Sequence, residues 1–112
     1  MAFAKFLTFD MGSISDGSSV TKEKKADKNY IIKRIYVLRK DGASFTESTV
    51  YFKVEDNVYT SEVVPAVTLG VDKETSPELN ITWNNGQTFT VTVYNNEGSA
   101  IEAWVVLELH TV

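Results

Sequence analysis

Cysteine is absent from this sequence, which also contains a single histidine, two prolines and no long apolar run. Without cysteine there is no disulfide, no thiolate metal site and no cysteine nucleophile. No stretch approaches the roughly 20 apolar residues that span a bilayer. The opening residues 1–7 are broken by Lys5, with no leading basic region and no clear cleavage site. We therefore expect neither a signal peptide nor a membrane partner.

The size and charge of the chain point to one domain that does not bind nucleic acid. Its 112 residues fit a single domain, 1–112, and are too few for two ordinary ones. Hydrophobic residues make up 43% and charged residues 23%, which is typical of a globular chain and not of a disordered one. The net charge of −4 argues against a nucleic-acid partner. The lysines between Lys22 and Lys28 are interrupted by Glu23 and Asp27, a pattern more typical of a solvated loop than of a phosphate site.

Alternation of apolar and polar residues with a period of two predicts β-strands along most of the chain. The predicted strands cover 3–9, 30–40, 49–55, 58–64, 66–71, 79–83, 88–95 and 99–109. About eight short strands joined by tight turns indicate an all-β fold, a single antiparallel β-sandwich of jelly-roll-like type, although a closed barrel remains an alternative. Asn- and Gly-rich turns join the last three strands and predict a three-strand meander.

Two upstream segments have distinct patterns. The strand 30–40 is apolar on both faces, so we expect it to be central in a sheet or to contain a bulge. The segment 10–29 is rich in Gly, Ser and Lys, and it is predicted to form a mobile loop or arm.

The residues that carry chemistry are few and scattered. His110, the single histidine, lies two residues from the last residue of the sequence, a position more typical of an edge residue than of a general base. Asp56, Asp72 and Glu74 could supply oxygen ligands for calcium. Their spacing matches no EF-hand loop, and Asp suits turns, so turn chemistry is the preferred interpretation. We predict no catalytic residue, no metal and no cofactor, and a protein that is not an enzyme.

Aromatic residues provide the candidate site. Trp83, Trp104, Tyr94 and Tyr51 all lie on predicted strands, and Trp104 and Tyr94 fall on the face opposite the main apolar set. Packing of a second sheet face, stacking on a sugar, or contact with another subunit could each explain them. The run 103–107 is apolar on both faces, so its strand must be central or covered by a partner.

The sequence also resembles a known group of proteins. The stretch 89–101 leading into 105–109, the strand–Asp41-Gly42–strand unit and the polar arm before the first long strand are similar to small virion proteins. These are jelly-roll and related β-sandwich subunits of phages and archaeal viruses. The resemblance implies a capsid, decoration or spike subunit, made in a host cytoplasm and located in the virion. Such a subunit forms homo-oligomers and docks on a capsid protein. The alternative is a carbohydrate-binding module that uses exposed Trp or Tyr side chains.

Overall fold

The structure, a computed structural model, describes residues 4–43, 45–55, 57–58, 64–65 and 78–111, and these residues form strands and turns only. The strands are β1 (Ala4–Ile14), β2 (Ser19–Lys25), β3 (Tyr30–Arg39), β4 (Thr49–Val54), β5 (Asn57–Val58), β6 (Val64–Pro65), β7 (Ile81–Trp83), β8 (Thr88–Tyr94) and β9 (Ile101–Thr111). Because β5 and β6 have two residues each, seven described strands are of ordinary length. The predicted all-β class is confirmed.

Two antiparallel sheets make up the fold. The first sheet has the order β1-β9-β3-β7, and the second has the order β2-β8-β4, with β5 and β6 paired to the far edge of β4. The pairs β1–β9, β2–β8, β3–β7 and β4–β5 are therefore nested along the chain, as in one long hairpin rolled into two layers. This is the strand order of a jelly roll. The predicted antiparallel β-sandwich is confirmed.

The core lies between the inner faces of the two sheets. Phe89, Val91 and Val93 on β8 face Val105 and Leu107 on β9, and all five side chains are fully buried. Their alternation with residues of the outer sheet faces is the period-two pattern of the sequence. Burying each side chain of this size contributes about 1.5–3 kcal/mol relative to exposure.

β3 and β9 have the central positions that their two-sided apolar patterns require. β9 lies between β1 and β3, and β3 lies between β9 and β7. The register of β3 against β9 shifts between Ile32 and Arg34, so Lys33 forms a bulge. One extra residue moves the following side chains to the other face, so Ile32 and Ile35 both reach the core. The prediction that 30–40 is central or bulged is confirmed on both counts.

A second bulge divides β1. Its register against β9 shifts between Asp10 and Gly12, which leaves Met11 as the extra residue with its side chain in the core. Gly12 has φ of +68°, a conformation that glycine adopts without strain. The Gly12 amide donates a 2.9 Å hydrogen bond to Asp10 Oδ1. The regular part of β1 therefore runs from residue 4 to Asp10.

The predicted C-terminal meander is wrong. β7 pairs with β3 in the first sheet and β8 lies in the second, while β9 returns to the first. The rings of Trp83 on β7 and Phe89 on β8 meet across the core, with their centroids 5.8 Å apart. Because both strands bury an apolar face, those faces pack on each other when the turn at 84–87 crosses between the sheets. A hairpin would have placed them side by side.

Segment 10–29 differs from the mobile arm that the sequence predicted. Residues up to Ile14 belong to β1, and β2 pairs with β8 over all seven of its residues, from Ser19 to Lys25. The hydroxyls of Thr21 and Thr92 form a 2.7 Å hydrogen bond across this ladder. Apolar side chains were a poor guide here, because an edge strand is held by backbone hydrogen bonds and tolerates charge. The predicted strand 66–71, the loop with Asp72 and Glu74, and Asp56 lie outside the described residues.

The connection between β8 and β9 holds the loop that precedes β4. The Glu97 carboxylate accepts hydrogen bonds of 2.7–2.9 Å from the amides of Thr46, Glu47 and Ser48 and from the hydroxyls of Thr46 and Ser48. Arg39 Nη1 lies 3.5 Å from Glu97 Oε1, and the glutamate side chain is 3% exposed. Burial acts to raise the pKa of Glu97, but these hydrogen bonds outweigh it and lower the pKa from 4.5 to about 2.

Candidate interaction surface

The four aromatic residues singled out in the sequence occupy three different places. Trp83 is 1% exposed in the core, and its indole Nε1 donates a 2.8 Å hydrogen bond to the Gln87 carbonyl. The predicted interface or stacking role of Trp83 is therefore corrected to a packing role. Trp104 lies on the outer face of the first sheet and Tyr94 on that of the second, 38% and 39% exposed. Tyr51 and Tyr94 occupy diagonal positions on the adjacent strands β4 and β8.

The register of β1, β9 and β3 builds the outer face of the first sheet. Three successive cross-strand rows on this face are Asp10–Trp104–Leu38, Thr8–Val106–Tyr36 and Phe6–Glu108–Arg34. Side chains that are directly opposite or diagonal in such rows are close enough to contact each other. Apolar members of the three rows therefore form one continuous surface, the apolar patch, which consists of Phe6, Tyr36, Leu38, Trp104 and Val106.

Phe6 is the most exposed member of the apolar patch. Its side chain is 61% exposed, and its ring packs on that of Tyr36 with a centroid separation of 6.5 Å. Tyr36 is itself buried on this outer face, while Leu38 and Val106 are half-buried. A single exposed apolar side chain needs no explanation, but a contiguous exposed cluster is typical of a binding surface.

A lysine lies over the second exposed aromatic of the patch. Lys40 Nζ is 5.3 Å from the centroid of the Trp104 ring and 2.8 Å from Asp10 Oδ1. The hydrogen bond from Lys40 contributes most to lowering the pKa of Asp10. The ammonium group thus covers one face of the indole with a cation–π contact. Stacking of a sugar on that face would require Lys40 to move.

A compensated carboxylate lies beside Phe6. Glu108 is buried although it is on the outer face, and it accepts hydrogen bonds from Arg34 Nη1 at 3.0 Å and from the Tyr36 hydroxyl at 2.9 Å. His110 Nε2 is 3.2 Å from Glu108 Oε2. Burial acts to raise the pKa of Glu108, but these partners outweigh it and lower the pKa. The carboxylate stays ionised at neutral pH and ties β3 to β9 beneath the patch.

The outer face of the second sheet has a different chemistry. Its cross-strand rows include Ser19–Tyr94–Thr49 and Thr21–Thr92–Tyr51. Tyr51 and Tyr94 are therefore diagonal neighbours surrounded by hydroxyl groups. A shallow groove of about 140 Å³ beside them is lined by Gly17, Ser18, Thr49, Tyr94 and Asn96. This face presents polar hydroxyls around two aromatic rings.

An open cleft lies at the end of the first sheet next to Trp104. It has a volume of about 550 Å³ and is lined by Ser13, Lys40, Asp41, Ala100, Ile101 and Glu102. Asp41 already forms a 2.7 Å ion pair with Arg39, and Lys40 reaches Asp10. Most of the charge in the cleft is thus engaged by neighbouring side chains.

Within the described ranges, no group of three or more His, Asp or Glu side chains is placed to hold a metal ion. The same part of the chain contains no helix long and apolar enough to cross a membrane. The predicted absence of catalytic, metal and cofactor sites stays a prediction.

Sequence reasoning identified Trp104 but missed Phe6, Leu38 and Val106 as further members of the apolar patch. The only signal for Phe6 is parity: its even position puts it on the face of the first strand opposite Leu7 and Phe9. The register that joins Phe6 to Val106 and Trp104 depends on which strands pair, and no local pattern states that.

Comparison with known proteins finds no relative. No family model matches the sequence, and no curated protein or solved structure is similar to the chain. The resemblance to small virion proteins therefore stays a prediction.

Proposed function

We propose that this protein is a non-enzymatic structural or interaction protein, a virion subunit of capsid, decoration or spike type that acts by self-association and by docking on neighbouring proteins. The apolar patch carries this proposal. It contains two large exposed aromatic side chains, Phe6 on β1 and Trp104 on β9, which lie two cross-strand rows apart on one sheet face. Aromatic side chains that become buried when a partner binds dominate the binding energy of many protein interfaces.

The strand order supports the same proposal at the level of analogy. Jelly rolls with two antiparallel sheets are used by viral capsid proteins as well as by lectin domains and cupins. Because one fold hosts many functions, the strand order is compatible with a virion role but does not identify it. The proposal therefore depends on the chemistry of the surface. On the first sheet that surface is apolar and charge-compensated, which favours contact with another protein.

We expect the protein to self-associate in solution and the apolar patch to drive the association. Replacing Phe6 or Trp104 by Ser removes an aromatic anchor, so each change should weaken self-association about tenfold or more, a loss of about 1.4 kcal/mol or more. Light scattering coupled to size-exclusion chromatography over a range of concentrations measures this effect.

Tyr94→Ser is the matched control, because Tyr94 is as exposed as Trp104 but lies on the opposite sheet. It should leave the concentration dependence unchanged. A strict monomer at every concentration, with no partner captured by the immobilised protein, would contradict the proposal. Equal effects of Trp104→Ser and Tyr94→Ser would show that the apolar patch is not the contact.

A carbohydrate-binding module is the second candidate, and the diagonal pair Tyr51 and Tyr94 favours it. Tyrosine rings offer stacking faces to sugars, and the hydroxyls around them offer hydrogen bonds. If this candidate is correct, a glycan array will show a ligand whose binding is abolished by Tyr94→Ala and retained by Trp104→Ala, with both variants folded. An array without any bound glycan would reject the module.

A further inference from the structure

The turn that crosses from β7 to β8 contains the only asparagine of the sequence that is followed by glycine, Asn85-Gly86. Both residues are exposed. They occupy the two central positions of a turn closed by a 3.0 Å hydrogen bond from the Gln87 amide to the Asn84 carbonyl. Gly86 has φ of +87°, which glycine adopts without strain. Besides forming the turn, an asparagine in front of a glycine has a chemical reactivity of its own.

This reactivity requires only the backbone nitrogen of the next residue. Once the Gly86 nitrogen has given its proton to hydroxide, it can attack the side-chain carbonyl carbon of Asn85. A nitrogen–carbon bond closes a succinimide ring, the bond to the side-chain nitrogen breaks, and ammonia leaves with a proton from water. Addition of water to either carbonyl of the ring then gives aspartate or isoaspartate. Glycine favours the attack because it has no Cβ to obstruct it.

We propose that Asn85 is a site of spontaneous deamidation and that the turn at 84–87 controls the rate. The Gly86 amide donates a 2.9 Å hydrogen bond to the Ala26 carbonyl, which stabilises the protonated nitrogen. The Asn85 amide donates a 2.9 Å hydrogen bond to Asn29 Oδ1, so the same loop holds both residues of the pair. Local opening of these bonds therefore precedes closure of the ring.

Two aspartates that are followed by glycine could form the same ring with loss of water, but their contacts oppose it. In Asp41-Gly42 the carboxylate forms a 2.7 Å ion pair with Arg39. In Asp16-Gly17 the carboxylate accepts a 2.9 Å hydrogen bond from the Gly98 amide. A carboxylate is a weak electrophile, and these contacts hold each one in place. The neutral side-chain amide of Asn85 makes it the most reactive of the three.

The isoaspartate product changes the turn itself, because it lengthens the backbone by one methylene group. The Gln87 carbonyl accepts hydrogen bonds from the Ala26 amide at 2.9 Å and from the Trp83 indole at 2.8 Å. A longer turn does not keep these bonds together with the one from the Gly86 amide. Molecules with isoaspartate at position 85 should therefore be less stable, whereas the aspartate product keeps the backbone and adds a negative charge.

Timed incubation of the wild-type protein at mildly alkaline pH tests the site. Peptide mapping by mass spectrometry measures the conversion of amide to carboxyl at each asparagine, in the folded chain and in urea. In the folded chain Asn85 should react before the other asparagines. It should react there about tenfold or more slowly than in urea, a ratio that corresponds to about 1.4 kcal/mol of free energy for local opening.

Asn85→Gln is the matched control for the site. Its longer side chain would have to close a larger ring, so this variant should show neither the conversion nor the loss of stability after the same incubation. In urea denaturation, the wild-type midpoint should fall as the modified fraction rises. A folded chain in which another asparagine reacts before Asn85, or in which none reacts, overturns the assignment of the site.

Two variants of Asn29 test the control that the turn exerts. Asn29→Ala removes the acceptor for the Asn85 amide and should speed deamidation of the folded chain about two- to tenfold, the factor that one hydrogen bond provides. Asn29→Asp keeps an acceptor oxygen and should react at the slow wild-type rate. Equal rates in the folded and unfolded wild type, or no acceleration in Asn29→Ala, overturn the role of the turn.

Discussion

Replacing Glu97 by Gln should lower the free energy of unfolding by about 3 kcal/mol at pH 7, because a pKa shift of one unit corresponds to 1.36 kcal/mol. The shift in question runs from 4.5 to about 2. The carboxylate satisfies three backbone amides and two hydroxyls of the loop at 46–48. A glutamine presents one acceptor and one donor to these groups, so several of the five donors lose their partner.

The pH dependence has a defined sign. The pKa of Glu97 is lower in the folded state than in the unfolded state, so the stabilisation is complete above pH 4.5 and is lost as the pH falls through about 2. Other carboxylates also titrate in this range, and therefore the difference between wild type and Glu97→Gln is the informative quantity. We expect this difference to shrink steadily between pH 4.5 and pH 2 in urea denaturation series.

Glu47→Gln provides the control for this prediction. Glu47 is in the same loop and exposed, and in the described contacts it offers Glu97 its backbone amide and not its side chain. Its replacement should change stability by less than about 0.5 kcal/mol. If Glu97→Gln is as stable as Glu47→Gln at pH 7, the anchoring role assigned to Glu97 is wrong.

Truncating Trp83 to Ala should destabilise the fold by about 3–5 kcal/mol, the range for a large aromatic removed from a core. Trp83 is 1% exposed, and its ring contacts those of Tyr30 and Phe89, with centroids 5.7 Å and 5.8 Å away. Trp83→Phe keeps most of this packing but removes the indole hydrogen bond to the Gln87 carbonyl, which still accepts from the Ala26 amide. The lost hydrogen bond should cost about 0.5–1.5 kcal/mol, in addition to the packing lost with the smaller ring.

Trp104→Ala is the comparison, because the Trp104 indole lies on the outer face. This change should lower the free energy of unfolding by about 1 kcal/mol or less, the magnitude of an exposed cation–π contact. In chemical denaturation Trp104→Ala should therefore be the most stable of the three variants, Trp83→Phe intermediate and Trp83→Ala the least stable. Because the chain has two tryptophans, Trp104→Phe leaves Trp83 as the sole indole. Its fluorescence should be blue-shifted and resistant to quenchers. A red-shifted, readily quenched signal would place Trp83 at the surface and contradict the structure.

Short-range pattern was sufficient for the individual strands. The alternation on β8 and β9 is sufficient to separate Phe89, Val91 and Val93, which are buried, from Trp104 on the outer face. In a strand the face of a residue depends only on its parity. The same rule did not identify Trp83 as a core residue, because the sequence of so short a strand does not show which of its two faces is buried. It also failed for segment 10–29, where the polar edge strand β2 follows a turn.

The strand partners and the composition of the surface depended on the whole molecule. Asn- and Gly-rich turns at 84–87 and 95–98 were correctly recognised as tight, yet a turn sequence does not say whether the chain folds back within one sheet or crosses to the other. That choice is made by the apolar faces of β7, β8 and β9, which bury most area when they oppose each other across a core.

By itself the sequence determined an all-β chain, the residues that point into a shared interior and the presence of exposed aromatic side chains. Only the tertiary structure decided that Phe6 and Trp104 lie on one sheet face, that Tyr51 and Tyr94 are diagonal on adjacent strands and that β1 ends the described part of the first sheet. The reason is physical. Side-chain alternation is set by local backbone geometry, whereas neighbours across strands are set by the pairing of segments up to about 100 residues apart in the chain. Backbone hydrogen bonding is the same for every sequence, so the burial of apolar side chains selects the register of this pairing.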